Sequence, residues 1–149
     1  MRTTLFALAI TSFAFTACAQ SENSSTTTSS ESTETSAQQE EAAATVVSVG
    51  PEEFASMMES NPGVLIDVRT ADEYSGGHLE GAKLVDYYGS DFEANISELD
   101  RDVPVYVYCR SGGRSGRSAS QMEEMGFKTV IDLSGGIMAW ESAGKETVK

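Results

Sequence analysis

A cysteine followed by glycines, serines and arginines is the stretch of this 149-residue chain best suited to chemistry. Cys109 comes after a β-branched and aromatic run, residues 105–108, which is typical of a buried strand. A Gly/Ser/Arg loop follows, and then a helix-like run over residues 119–125. A strand, a tight loop and a helix N-terminus in this order direct backbone N–H groups and the helix dipole at one point, which favours an anion. We therefore expect Cys109 to react as a thiolate nucleophile.

The predicted anion cradle runs from Cys109 to Arg114 and has the spacing Cys-x4-Arg. Its glycines allow the backbone to turn tightly with several N–H groups pointing inward. Arg114, at the end of the loop, is expected to bind a substrate anion or to brace the loop. Arg117 is expected on the helix surface. The predicted substrate-binding residues are Arg110, Ser111, Gly112, Gly113 and Arg114.

The charge of the chain excludes several classes of partner. A formal net charge of −13 argues against nucleic acid and against a general attraction to anionic lipid. The arginines of residues 110–117 are a local exception, which suits a small anion rather than a polymer. The sequence contains no His/Cys/Asp cluster with metal-ligand spacing and no nucleotide-binding glycine motif, so we expect neither a metal nor another cofactor.

The first 17 residues have the composition of a signal for export. Arg2 precedes an apolar stretch too short to be a permanent membrane span, and small residues come before Cys18. Residues 15–18 resemble a bacterial lipoprotein box, which implies lipidation of Cys18. Ala19 next to it would direct such a lipoprotein to the outer membrane, facing the periplasm. The alternative is an ordinary signal cleaved near Ala17 or Ala19.

Residues 18–44 are predicted to be a flexible tether. Twelve of the sixteen residues from 21 to 36 are Ser or Thr, and such a segment cannot bury a core. The tether would hold the remainder of the chain, residues 45–149, away from the membrane. Membrane contact is expected only through the N-terminal lipid.

Residues 45–149 have the size of one small domain and alternate between strand and helix patterns. Predicted strands cover residues 46–49, 64–68, 83–85, 103–108 and 129–133. Predicted helices begin at Pro51, near Ala71, near Phe92, at Ala119 and at Ile137. The continuous apolar strands predict an α/β fold, an open and mainly parallel five-stranded sheet with helices on both faces. Cys109 would then lie at the carboxyl end of a strand, where such sheets bind ligands.

Four motifs make residues 46–143 resemble the rhodanese (sulfurtransferase) family. They are Leu-Ile-Asp-Val-Arg at 65–69 followed by Glu-Tyr at 73–74, Gly-His-Leu-Glu-Gly-Ala at 77–82, Cys-Arg-x-Gly-x-Arg at 109–114, and Gly-Gly-x-x-Ala-Trp at 135–140. The resemblance implies that Cys109 carries a persulfide. It would take sulfur from thiosulfate or a persulfide and pass it to cyanide or a thiol. Arg110 could meet the anionic end of the donor, and the protein is expected to be a monomer.

Two other functions remain open. Phosphatases and arsenate reductases of related folds use a Cys-x5-Arg loop, whereas the sixth position after Cys109 is Ser115. The shorter loop has room for a sulfur atom but is tight for a tetrahedral phosphate. The second alternative is a non-catalytic or thiol redox-sensing interaction module at the cell envelope, because a thiolate also reacts with peroxide.

Several residues outside the loop could serve either structure or chemistry. His78, the single histidine, is predicted to be structural, since persulfide transfer requires no separate base. Asp67 and Arg69 follow a strand end and are expected in an ion pair that braces the loop, with Glu73 as a possible partner of Arg69. Trp140 is expected in the core or as a lid over the last helix.

Overall fold

A computed structural model describes residues 44–149. The predicted signal, the lipidation at Cys18 and all but the last residue of the predicted tether lie outside the described residues. No helix of residues 44–149 combines the length and apolar character that crossing a bilayer requires.

Five strands form one sheet in which every strand pairing is parallel. The strands are β1 (Thr45–Val49), β2 (Val64–Asp67), β3 (Lys83–Leu84), β4 (Val105–Tyr108) and β5 (Thr129–Leu133). Their order across the sheet is β1-β5-β4-β2-β3, so β4 is the central strand. The predicted α/β fold is confirmed. Strand β4 begins at Val105 rather than at the predicted residue 103, because Pro104 has no N–H to donate to a neighbouring strand.

Four helices connect consecutive strands, a fifth follows β5, and together they cover both faces of the sheet. They are α1 (Pro51–Ser60), α2 (Ala71–Gly76), α3 (Phe92–Ser97), α4 (Gly113–Glu124) and α5 (Gly136–Ser142). Helices α3 and α4 pack their buried side chains against one face, in a core that contains Phe92, Ile96, Ala119 and Met122. Helices α1 and α5 cover the other face, where Phe54, Ile137 and Trp140 are buried.

The alternation of side chains along β4 determines where Cys109 lies. Val105 and Val107 belong to the core under α3 and α4, whereas Tyr106 and Tyr108 belong to the core under α1 and α5. Cys109 continues the first set. The cysteine is therefore at the carboxyl end of the central strand, on the side covered by α4.

The start of α4 differs from the sequence prediction. The helix begins at Gly113 rather than at Ala119, so most of the predicted loop is its first turns. Glycine and serine have low helix propensity, which is why the pattern hid these turns. The helix forms here in spite of this low propensity, because its inner face packs against the sheet with Ser115 and Ser118 fully buried. The true loop between β4 and α4 is only residues 109–112.

Candidate active site

The sulfur of Cys109 accepts hydrogen bonds from the short loop and from the first turn of α4. The backbone N–H of Gly112 donates to Sγ at 3.1 Å, and the hydroxyl of Ser115 donates at 3.5 Å. Gly112 has φ +96°, a left-handed conformation that glycine adopts without strain. Cys109 is only 1% exposed, so its side chain is almost completely shielded from solvent.

These contacts favour the thiolate form of Cys109. Burial on its own would raise the pKa of the thiol, and it is the largest single influence. The Ser115 hydroxyl and the N–H groups of Ser115, Ser111 and Arg114 act in the opposite direction. Together they outweigh burial and lower the pKa of Cys109 below its ordinary value. A lower pKa of the thiol increases the fraction of Cys109 that is present as thiolate near neutral pH.

Arg114 is held in a two-pronged ion pair with Glu73. The guanidinium donates to the two carboxylate oxygens at 2.7 and 2.8 Å, linking the first turn of α4 to α2. This contact is the main reason that the pKa of Glu73 falls to about 2. Glu73 also completes the capping box of α2 with Thr70. The geometry puts Arg114 in a bracing position, one of its two predicted roles.

Arg69 and Asp67 form a separate buried ion pair. The Arg69 guanidinium donates to the Asp67 carboxylate at 2.6 Å and to the carbonyl of Gly77 at 2.7 Å. The predicted pairing of Arg69 with Glu73 is therefore wrong. Asp67 and Arg69 are two residues apart and their side chains meet directly, whereas the Glu73 carboxylate faces Arg114 across the site.

The remaining predicted binding residues lie on the solvent-exposed side of the loop. Arg110, Ser111 and Gly113 are exposed. Arg110 lines a groove of about 310 Å³ together with residues of α2 and α5. Arg117 is exposed on α4, as predicted, with its guanidinium 5.6 Å from the ring centroid of Tyr87.

The turn between β5 and α5 is hydrogen-bonded to the backbone of the loop that contains Cys109. The N–H of Ile137 donates to the carbonyl of Cys109 at 2.9 Å, and the N–H of Met138 donates to that of Arg110 at 3.2 Å. Gly136 has φ +60°, and a Cβ at this position would clash with the carbonyl of Cys109. The sequence shows the Gly-Gly pair but not its contact with Cys109, which lies far away in the sequence and is brought close only by the order of the strands in the sheet.

His78 and Trp140 do not contact the sulfur of Cys109. The His78 ring stacks on Tyr74 at 3.7 Å between centroids, and its Nδ1 lies 3.2 Å from the Tyr74 carbonyl. Trp140 is buried with its ring 6.2 Å from that of Phe54, and its indole N–H donates to the carbonyl of Glu146. Trp140 lies in the core, one of its two predicted positions, while a structural role for His78 stays a prediction.

Ser115 and Tyr88 are two residues of the site that the sequence did not identify. Ser115 lies outside the Cys-x4-Arg motif, although a serine directly after the last arginine of the motif and close to a helix start is suited to donate to the cysteine. Tyr88 is 68% exposed, and the Arg114 guanidinium lies 5.8 Å from its ring centroid. No motif marks Tyr88. In residues 44–149 no group of three His, Cys, Asp or Glu side chains is arranged to hold a metal ion.

Comparison with known proteins agrees with this geometry. The chain is 34% identical over 93 residues to the thiosulfate sulfurtransferase GlpE of Pseudomonas fluorescens, covering 62% of this chain and 83% of GlpE. It is 38% identical over 76 residues to the uncharacterized protein YqhL of Bacillus subtilis, covering 51% of this chain but only 59% of YqhL. The solution structure of the polysulfide-sulfur transferase homodimer of Wolinella succinogenes is 28% identical, with a TM-score of 0.59, and covers 69% of this chain and 78% of that one. The family model of the rhodanese-like domain matches residues 50–143, and the chain belongs to this family.

Proposed function

We propose that this protein is a sulfurtransferase that carries sulfane sulfur as a Cys109 persulfide. The observation that carries the proposal is the set of donors around the sulfur: the Gly112 N–H, the Ser115 hydroxyl and the neighbouring N–H groups of the α4 N-terminus. The same donors that favour a thiolate can stabilise the negative charge of a persulfide. The similarity to a thiosulfate sulfurtransferase supports the same reaction class.

The reaction consists of two displacements. In the first, the Cys109 thiolate attacks the outer sulfur of thiosulfate or of a persulfide. A new S–S bond forms on Cys109, and the old S–S bond breaks as sulfite or a thiolate leaves with the electron pair. In the second, cyanide or a thiolate attacks the outer sulfur of the Cys109 persulfide and regenerates the Cys109 thiolate. Residues 44–149 contain no second cysteine, so a thiol acceptor has to bring its own.

Burial of Cys109 supports sulfur transfer over phosphoryl transfer. The residue is 1% exposed, and its hydrogen-bond donors converge on Sγ itself rather than on a position beyond it, where the oxygens of a tetrahedral group would lie. Arg114, in the first turn of α4, is engaged by Glu73 instead of being free to bind the oxygens of a phosphate group. Turnover of a phosphate ester by the purified protein would contradict this proposal.

Intact-mass spectrometry of the protein after incubation with thiosulfate or a persulfide tests the proposal. We expect a gain of one sulfur, about 32 Da, that cyanide or a thiol removes. The variant Cys109→Ala should gain no mass, while Cys18→Ala should behave like the wild type. Absence of the adduct with both donors would leave the sulfurtransferase function without a chemical basis.

We further propose that the protein acts at the cell envelope, exported through residues 1–17 and anchored by a lipid on Cys18. The sequence pattern of the signal and the Ser/Thr-rich tether supports this location. The mass of the mature protein purified from membranes tests it, because lipidation adds acyl chains that Cys18→Ala lacks. A soluble wild-type protein without the adduct would contradict the anchor.

A further inference from the structure

Glu73 neutralises the charge of Arg114, the arginine in the first turn of α4. Its carboxylate receives both prongs of the Arg114 guanidinium, and the two side chains are 28% and 13% exposed. The pair adds no net charge to the cradle. Of the predicted binding arginines, only the exposed Arg110 lacks an acidic partner within the described part of the chain.

A groove beside the loop offers surroundings for an organic group. Arg110, Met138 and Glu141 line it on the side of α5, and Glu73 lines it on the side of α2. Met138 is 50% exposed and provides an apolar contact. Because Glu73 is already paired with Arg114, the groove presents the unpaired cation of Arg110, the carboxylate of Glu141 and a thioether, a combination that suits a small zwitterionic molecule rather than an inorganic dianion.

We propose that Glu73 is a specificity-determining residue that makes persulfides of small zwitterionic thiols, rather than thiosulfate, the favoured sulfur donors of Cys109. The inference rests on the proposed sulfurtransferase function. Thiosulfate brings two negative charges to the site, where Glu73 already engages Arg114 and, of the two predicted binding arginines, only Arg110 is left without an acidic partner among the described residues. A persulfide brings less charge at the reacting sulfurs, and its carbon skeleton can occupy the groove.

The loading step then proceeds as follows. The Cys109 thiolate attacks the outer sulfur of the persulfide, and the Sγ–S bond forms as the donor's own S–S bond breaks. The donor leaves as a thiolate with the electron pair and takes a proton from water. Neither an oxidant nor a reductant is consumed.

The variant Glu73→Gln tests the inference because it removes the charge but keeps the shape of the side chain. Glutamine at this position still completes the capping box with Thr70, so α2 should remain folded. We expect the KM for thiosulfate loading to fall on the order of tenfold with a smaller change in kcat, and the rate with cysteine persulfide to change little. The matched control, Asp72→Asn, removes a charge from the same exposed turn and should leave the ratio of the two donors unchanged.

Two further measurements separate a charge effect from a structural one. Alkylation of Cys109 against pH should show a lower thiolate pKa in Glu73→Gln, because Arg114 is no longer neutralised. Met138→Ala should slow loading from cysteine persulfide without slowing loading from thiosulfate.

An unchanged donor ratio in Glu73→Gln, or an equal loss of both donors, would overturn the inference while leaving the proposed function intact. A wild-type protein that gains no sulfur from either donor would overturn both. A wild-type protein that loads faster from thiosulfate than from cysteine persulfide would overturn the inference alone.

Discussion

The hydroxyl of Ser115 lies 3.5 Å from the sulfur of Cys109, and both residues are buried. The two residues are six positions apart, yet the turn at Gly112 and the start of α4 bring them together. The same hydroxyl lies 3.2 Å from the carbonyl of Gly112, to which it can also donate. The Cys109 sulfur and the Gly112 carbonyl thus compete for the proton of the Ser115 hydroxyl. When Cys109 is a thiolate it is the stronger acceptor, because a charged acceptor forms a stronger hydrogen bond than a neutral carbonyl does.

Removal of the hydroxyl should weaken the nucleophile. In Ser115→Ala we expect the pKa of Cys109 to rise and the rate of sulfur loading near neutral pH to fall about tenfold, the equivalent of one hydrogen bond to a charged group. Alkylation and loading rates measured against pH would show both effects. Ser118→Ala is the matched control, because Ser118 is equally buried on α4 but donates to the carbonyl of Arg114. Equal behaviour of the two variants would contradict a role for Ser115 at the sulfur.

The ion pair of Glu73 and Arg114 should make part of the stability dependent on pH. The folded-state pKa of Glu73 is about 2, below the ordinary value of 4.5, so the folded state binds its proton less readily than the unfolded state does. The stabilisation is therefore complete above about pH 4.5 and is lost as the pH falls towards 2. Solvent screening limits it to about 1–2 kcal/mol.

Denaturant unfolding of the wild type and of Glu73→Gln at several pH values would measure this contribution. The difference in the free energy of unfolding should be constant from neutral pH to about pH 5 and should shrink below it. Asp72→Asn provides the control for a neighbouring carboxylate without an arginine partner. A difference that stays constant down to pH 2 would show that the ion pair does not stabilise the fold.

The glycine at position 136 should be essential for the shape of the loop that contains Cys109. Gly136→Ala places a methyl group against the carbonyl of Cys109 at φ +60°, so we expect a loss of stability of about 1–3 kcal/mol and slower sulfur loading. Gly116→Ala is the opposite case. Gly116 lies within α4 with open space beside it, and alanine there should increase stability by about 0.5–1 kcal/mol.

Thermal and denaturant unfolding, together with loading rates, would compare the two glycine variants. A Gly136→Ala protein as stable and as active as the wild type would show that the β5–α5 turn does not determine the position of Cys109.

The buried pair of Asp67 and Arg69 should contribute to folding more than to chemistry. Arg69→Ala leaves the fully buried Asp67 carboxylate without its cation and the Gly77 carbonyl without its donor, so we expect a loss of about 3–5 kcal/mol. Lys128→Ala, which breaks an exposed ion pair with Asp102, should change stability little. Denaturant unfolding would measure both, and similar values for the two variants would contradict this assignment.

Local patterns were sufficient to predict the α/β fold and the position of Cys109. The continuous apolar residues of β2, β4 and β5 are typical of buried parallel strands, and the helical spacing around Phe54 and Met122 predicts helices that pack on such a sheet. A cysteine directly after the central strand must then lie at the carboxyl end of the sheet. These features depend on neighbours in the sequence, which is why the sequence alone revealed them.

The tertiary structure decided which groups meet at the site. It paired Glu73 with Arg114 rather than with Arg69, extended α4 back to Gly113 and brought Gly136 under Cys109. Each of these outcomes depends on contacts between segments far apart in the chain. Charge and helix propensity are properties of single residues and their neighbours, so they identify possible partners, but only the packed sheet and helices select among them.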